Sequence, residues 1–406
     1  MRVSKKLLIG ALAASALVLT GCAPSADQPD ASPETPNSEE GTSAEQKSVD
    51  VAILTSTSGP LASYGAQYVD GLEAGIDYVT GGTGEIDGIT INLIYGDDKG
   101  DPDTAINLAK DYIGQGIGII AGTAVSGIST QLAEQAAQNK ILYISGPAAA
   151  DAITGVNEYT FRSGRQSMQD VATAGTFLDD INGKNVVVYA QDNAFGGGNV
   201  MAVEMILGDK GANVTSVLVP EDATEFTAFS QQLIDADPDL VFVAWAGATS
   251  GSMWQSLSQQ GVFDNVPVVT GLGDSPTFSA FGEASEQISF LNHYFAGAPD
   301  NPVNDAMLSY LEDKGKTADL FTPDGFNAAV MIAEAVSKGQ GDVEAARAAL
   351  EGFTFDGPKG KNTIRAEDHA LIQDMYQVKL VADGDSFVPE LISSVDAELV
   401  APPVMN

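Results

Sequence analysis

This chain is poor in residues that do covalent or metal chemistry, and poor in positive charge. One cysteine and two histidines, His293 and His369, stand in 406 residues. A single cysteine excludes an intramolecular disulfide, so the folded part must rest on its core. The two histidines stand apart, and there is no Gly-x-Ser-x-Gly elbow and no Walker-type phosphate loop. Hydrolytic and metal-dependent mechanisms therefore lack parts, and neither a metal nor a cofactor is expected. Lys and Arg number 19 against 55 Asp and Glu, a formal charge of −36 at pH 7. Nucleic acid, whose phosphates need cations, is excluded as a partner, and so is polybasic docking on anionic lipid. The excess acid reads as a solvated, aggregation-resistant surface. The run Asp97, Asp98, Asp101, Asp103 lacks calcium-loop spacing and has Leu108 at its twelfth position, so turns and a helix start explain it better.

Long apolar runs are also rare. The one at 7–19 follows Arg2, Lys5 and Lys6, is short for a membrane span, and has the charge layout of a signal peptide. It ends in Leu19-Thr20-Gly21-Cys22, which resembles the lipobox of bacterial lipoproteins and implies that Cys22 becomes a lipidated first residue. Residues 1–21 then form a signal peptide and 22–48 a lipidated, disordered tether, because 23–48 are Pro, Ser, Thr, Asp and Glu with little to bury.

The remaining chain exceeds the usual size of a single core. β-branched runs at 49–54, 89–95, 117–121 and 141–144 alternate with helical patterns at 66–79, 104–114 and 129–139. The alternation resumes with strands at 185–190, 213–219, 240–245, 266–270 and 288–295. Helices are expected at 168–180, 198–210, 225–236, 250–261 and 305–313. Helical pattern then dominates 324–350 before a last strand at 375–381. This order predicts an α/β fold of two doubly wound parallel-sheet lobes, with ligand crevices at the carboxyl ends of the strands.

Gly59-Pro60-Leu61-Ala62-Ser63-Tyr64-Gly65, Asp97-Asp98-Lys99-Gly100-Asp101-Pro102, Gly122-Thr123-Ala124-Val125-Ser126 and Ile144-Ser145-Gly146-Pro147-Ala148-Ala149-Ala150 follow successive strands. With Phe161-Arg162, Asp192-Asn193-Ala194-Phe195-Gly196 and Phe355-Asp356-Gly357-Pro358, they resemble the leucine/isoleucine/valine-binding branch of type I periplasmic binding proteins. The resemblance spans about 49–395. It implies three crossovers, near Arg165, Gly297 and Tyr376, giving lobe 1 as 49–165 plus 298–376 and lobe 2 as 166–297 plus 377–406. It implies a substrate-binding lipoprotein of an ABC importer, without catalysis, whose partners are a small-molecule ligand and permease and ATPase subunits. It places the chain outside the cytoplasm, on the membrane only through its lipid. A ligand-sensing receptor component and, more remotely, an exported enzyme are the alternatives.

The resemblance also assigns the cleft. Ser126 and Gly127 at a helix start would hold a ligand carboxylate through hydroxyl and free N–H groups. Ala148, Ala149 and Ala150 would line the same side, with Tyr64, Phe195, Trp245 and Phe321 as apolar walls. Trp254, in a helix pattern, reads as core. Arg165 is a possible anion clamp, against a surface ion pair as the plainer reading. The departures bear on the ligand. The family's amino-acid binders have Thr where Ala150 stands, often Tyr where Phe195 stands, and an acid to hold the ammonium where Gly273 stands. Either Asp274, one residue on, swings in as the anchor, or the ligand has no ammonium group. A desolvated ammonium without a carboxylate is costly, so an organic or aromatic acid is preferred over a branched-chain amino acid.

Overall fold

The computed structural model describes residues 47–405 apart from Asp179 and Asp385. The expectations for the signal peptide, for Cys22 and for residues 23–46 of the tether lie outside the described residues. Among those described, no helix is long and apolar enough to cross a membrane.

The first sheet takes β1 (Lys47–Thr55), β2 (Glu85–Ile86), β3 (Ile89–Asp97), β4 (Ile119–Gly122), β5 (Leu142–Ser145) and β6 (Thr160–Arg162) in the order β2-β3-β1-β4-β5-β6. All its pairings are parallel except β2 with β3. Val51, Ala52, Ile53 and Leu54 are all fully buried. A strand covered by helices on both faces has no solvent side, so it reads as a continuous apolar run.

The second sheet begins with β7 (Asn185–Gln191), β8 (Asn213–Val219), β9 (Leu240–Ala244), β10 (Val268–Gly271) and β11 (Ile288–Asn292). After β11, the strands β12 (Thr354–Gly357), β13 (Gly360–Ile364) and β14 (Leu371–Ile372) form a separate antiparallel sheet packed on the first core. The chain then adds β15 (Met375–Asp383) and β16 (Ser386–Val395) to the second sheet, giving β16-β15-β11-β10-β9-β7-β8. β15 and β16 run antiparallel, which departs from the all-parallel expectation. In each sheet the order reverses beside a first strand, between β1 and β4 and between β7 and β9. The loops after those four strands are where a doubly wound sheet receives ligand.

Element ends moved for local reasons. The helix expected from 168 runs Ser167–Gly175. The helix expected from 198 starts at Ala194, because Asn193 caps it by accepting from Gly196 N at 3.0 Å. It continues as a wider turn over Glu204–Gly208. The strand expected over 288–295 stops at Asn292, leaving His293 beyond it. One packing contact fixes the base of the cleft: helix Ala62–Thr80 lies on helix Thr322–Gly339 at glycine-only approach. A Cβ on Gly71 would sit 1.8 Å from Thr322 O, and one on Gly325 would sit 1.9 Å from Tyr68 O. That closeness brings the Tyr64 and Phe321 rings to 4.4 Å between centroids.

Candidate functional site: a cleft between the two sheets

The loops at the two reversal points open on one cleft of about 470 Å³. That is ample for a small organic solute. From the first sheet's side come Tyr64, Ser126, Gly127, Pro147 and Ala149. From the second come Gln191, Phe195, Trp245, Gly273 and Asn292.

Ser126 opens helix Ser126–Asn139, whose preceding residue Val125 supplies no side-chain cap. The Ser126 and Gly127 N–H groups have no acceptor among the described residues, and the helix dipole favours an anion there. Ser126 Oγ accepts from Ala150 N at 3.3 Å, which leaves its O–H free to donate. This end of the cleft therefore presents free hydrogen-bond donors.

The walls are aromatic. Trp245 stacks on Tyr189 with centroids 5.4 Å apart and donates from Nε1 to Thr249 Oγ1 at 3.0 Å. Phe195 and Phe321 complete the apolar lining. Burial pushes the Tyr64 hydroxyl's pKa far up, so it stays protonated. Trp254 is 4% exposed within the core of the second sheet, as its helical position suggested.

The floor lies where the chain first passes between the sheets. Arg165 is 8% exposed, so it is no surface ion pair. It donates from Nη1 to Pro147 O at 2.9 Å, its Nε lies 3.3 Å from Asp170 Oδ2, and its guanidinium lies 5.4 Å over the Phe321 ring. Arg165 lines the cleft, and among the described residues its Nη2 has no hydrogen-bond acceptor. Asp170, Asn292 and His293 also line this floor, and the sequence reading missed all three as site residues. The available signal was weak: His293 is one of two histidines in the chain and stands just past a strand end.

Three expectations are corrected. Ala148 and Ala150 do not line the cleft; they are 0% and 2% exposed. Their carbonyls instead accept from Arg162 Nη2 at 2.7 Å and Nη1 at 3.1 Å, so this loop is turned inward by a buried guanidinium. Asp274 is also absent from the lining and is 3% exposed. Its Oδ2 accepts from Ser63 Oγ at 2.6 Å and Gln67 Nε2 at 3.4 Å, both on helix Ala62–Thr80 across the cleft. Gly273 does line the cleft, but a Cβ there would lie 2.4 Å from Thr277 Oγ1, so an acid at that position would displace Thr277. His369 packs face to face on Phe161 at 3.8 Å and contacts Thr160 O through Nδ1 at 2.9 Å, a core position. The Asp97 and Asp98 carboxylates accept from Thr57 N, Lys99 N and Gly100 N. Among the described residues no cluster of metal-ligating side chains is present.

Comparison with known proteins agrees with this geometry. A Leu/Ile/Val-binding protein of Rhizobium johnstonii is 25% identical over 75% of this chain and 83% of its own length. A Leu/Ile/Val-binding protein homolog of Brucella melitensis is 24% identical over 73% of this chain and 80% of its own. Among solved structures, an ABC-type branched-chain amino acid transporter protein of Rhodopseudomonas palustris is 33% identical. It covers 88% of this chain and 99% of its own, with a TM-score of 0.74. A solute binding protein of R. palustris in complex with 4-hydroxybenzoate has a TM-score of 0.78 over 86% of this chain and 97% of its own. At 21% identity that likeness speaks for the fold alone. The sequence pattern of the periplasmic binding protein family matches residues 48–385, so the chain belongs to that family, a family of extracytoplasmic binding proteins.

Proposed function

We propose that this protein is the solute-binding component of an ABC importer, tethered by lipid at Cys22, and that its cleft captures a small organic acid. The carboxylate sits at Ser126 and the free N–H groups of the helix start, and the apolar body lies against Tyr64, Phe195 and Trp245. Crossovers near Arg165, Gly297 and Tyr376 form the hinge, and ligand favours the closed arrangement by its greater affinity for it. The permease and ATPase subunits are the partners of the closed form.

The observation that carries the ligand assignment is the Asp274 carboxylate. It is engaged by Ser63 and Gln67 instead of facing the cleft, and the neighbouring cleft position is a glycine. An α-ammonium placed beside Gly273 would be desolvated without a facing acid, at a cost of several kcal/mol. The names of the relatives favour a second reading, a branched-chain amino acid.

Calorimetry decides between them. We expect 4-methylpentanoate and benzoate to bind at least about tenfold more tightly than leucine, since one unpaired buried charge exceeds 1.4 kcal/mol. Micromolar leucine binding that disappears in Asp274→Ala would sink the acid reading. Replacing Cys22 with Ser should release the protein from membranes; retention would sink the anchor.

A further inference from the structure

The chain passes between the two sheets three times, after β6, after β11 and before β15. Its last described segment, residues 396–405, makes a fourth passage of a different kind. It leaves the end of β16, the edge strand of the second sheet, and forms no helix or strand of its own. Ordering an irregular segment costs backbone entropy, so its contacts must offset that cost.

Those contacts fall first on the crossings themselves. Ala397 N donates to Asp374 Oδ1 at 2.9 Å, at the residue before β15. Val400 is fully buried in a cluster with Val395 and with Met375, the first residue of β15. Ala172, from the helix Ser167–Gly175 that follows the first crossing, packs on the same cluster. The segment then ends on the first side. Arg365 Nη1 donates to Pro402 O at 2.6 Å, and Nη2 donates to Pro403 O at 3.1 Å. Met405 N donates to Asp368 Oδ2 at 3.0 Å. Residues 365–369 belong to the first side: Arg162 N of β6 donates to His369 O at 3.3 Å, and the His369 ring stacks on Phe161.

The anchor is shaped to this tail. Prolines at 402 and 403 have no N–H to leave unpaired, and their carbonyls are what a guanidinium can engage. A two-bond pair with Asp368 holds Arg365 in place, Nε to Oδ1 at 2.8 Å and Nη2 to Oδ2 at 2.6 Å. Gly155, at φ +70°, donates its N–H to Asp368 O at 2.9 Å, and a Cβ there would lie 2.7 Å from Met405 O. A larger residue would push the tail off its anchor. We infer that residues 396–405 are a hinge strap, tying the edge of the second sheet to the Arg365–Asp368 anchor on the first side and holding the two sides in the closed arrangement. Ser63 Oγ reaches Asp274 Oδ2 across the cleft at 2.6 Å, so the strapped arrangement is one with the two sides together. Contacts made in one arrangement alone favour it by their own free energy. The inference rests on the proposed closure and adds to it a built-in restraint that sets how far the ligand-free protein opens.

Two variants of the full chain test it. Arg365→Lys keeps a charge beside Asp368 but lacks the planar fork that serves both Asp368 and the tail carbonyls. Val400→Ala weakens the packing over the crossings and leaves the anchor intact. Each is measured by small-angle scattering without ligand, by calorimetry with 4-methylpentanoate and with leucine, and by thermal unfolding. The ligand-free radius of gyration should rise in both variants. The radius at saturating ligand should not change, and affinity for whichever probe the unaltered protein binds should fall about fivefold, the order set by one hydrogen bond. A lower melting temperature with unchanged free radius and affinity overturns the strap and makes the tail a stabilising cap only. If one variant fails to fold, the other decides. If neither probe compacts the unaltered protein, the closure reading fails; the strap then stands if the variants' free radius rises and falls if it does not.

Discussion

Charge is handled in opposite ways on the outer surface and at the base of the cleft. Outside, acids predominate and ion pairs stand in water. The side chains of Lys184 and Asp239 are 50% and 40% exposed, and those of Lys379 and Glu390 are 55% and 56% exposed. Such pairs contribute little, because solvent screens them and holding two long side chains costs entropy. At the base the scarce cations are buried: Arg162, Arg165 and Lys359 are 1%, 8% and 3% exposed. Burial pushes the Arg162 pKa down to about 10, yet its guanidinium donates to the carbonyls of Ala148, Ala150 and Arg165. Lys359 is pushed down and Asp324 up by the same desolvation. A chain with few cations thus buries some of them: Arg162 and Arg165 donate to loop carbonyls, and Lys359 donates to the Gln373 side chain.

The largest effect that could break this contrast is a substitution at Arg162. Arg162→Leu removes donors from three buried carbonyls and should cost about 3–5 kcal/mol of stability in urea unfolding. Lys379→Ala, at the surface, should change stability by less than about 0.5 kcal/mol. Equal losses would show that burial of the cations carries no special weight.

A second, smaller effect is a pH dependence written into the buried carboxyls. Burial pushes Asp151 up to about 6, against hydrogen bonds from Met168 N and Gln166 and the nearby Arg162. Its folded pKa exceeds the unfolded one, so the folded state binds the extra proton. The associated stability is present at low pH and is lost as pH rises through about 6. Between pH 4.5 and 7.5 the native protein should lose about 2 kcal/mol relative to Asp151→Asn. Parallel pH profiles for the two proteins would remove Asp151 from the account.

How much of this was legible in the sequence depends on which force shaped each part. The central strands were readable because burial on both faces writes an apolar run, as at Val51–Leu54. β12–β14 were missed because they span only two to five residues each. β16 escaped because it is a sheet-edge strand containing Pro389, with Val388, Leu391 and Ile392 exposed. At the site, Tyr64, Ser126, Ala149 and Phe195 stand in recognisable motifs, whereas Gly127, Arg165, Trp245 and Phe321 were placed by their positions beside element ends or a crossover; all eight line the cleft. Asp170 and Asn292 come from the inner face of a helix and the last residue of a strand, where nothing local distinguishes a cavity from a core. Asp274 was misplaced for a different reason. Its partners Ser63 and Gln67 lie some 200 positions earlier, a contact that only the folded chain reveals.

The smallest effect concerns that contact. Ser63 belongs to helix Ala62–Thr80 beside the first sheet, and Asp274 follows β10 of the second, so their 2.6 Å hydrogen bond exists only while the two sides of the cleft are together. Any interaction present in one arrangement alone shifts the equilibrium toward it by its own free energy. Ser63→Ala should therefore favour opening by about 1 kcal/mol, roughly fivefold, since one hydrogen bond contributes that order. Ligand affinity should fall by a similar factor, and the radius of gyration of the ligand-free protein should rise in small-angle scattering. The pH sign is also fixed. Burial raises the Asp274 pKa, with Asp319 adding to it and Ser63 opposing, so protonation favours closure and ligand-free compaction should increase as pH falls. Asp274→Asn should remove that dependence while keeping an acceptor for Ser63. An unchanged radius and affinity in Ser63→Ala would mean that the bond merely follows closure, and that the two sides of the cleft are held by the hinge alone.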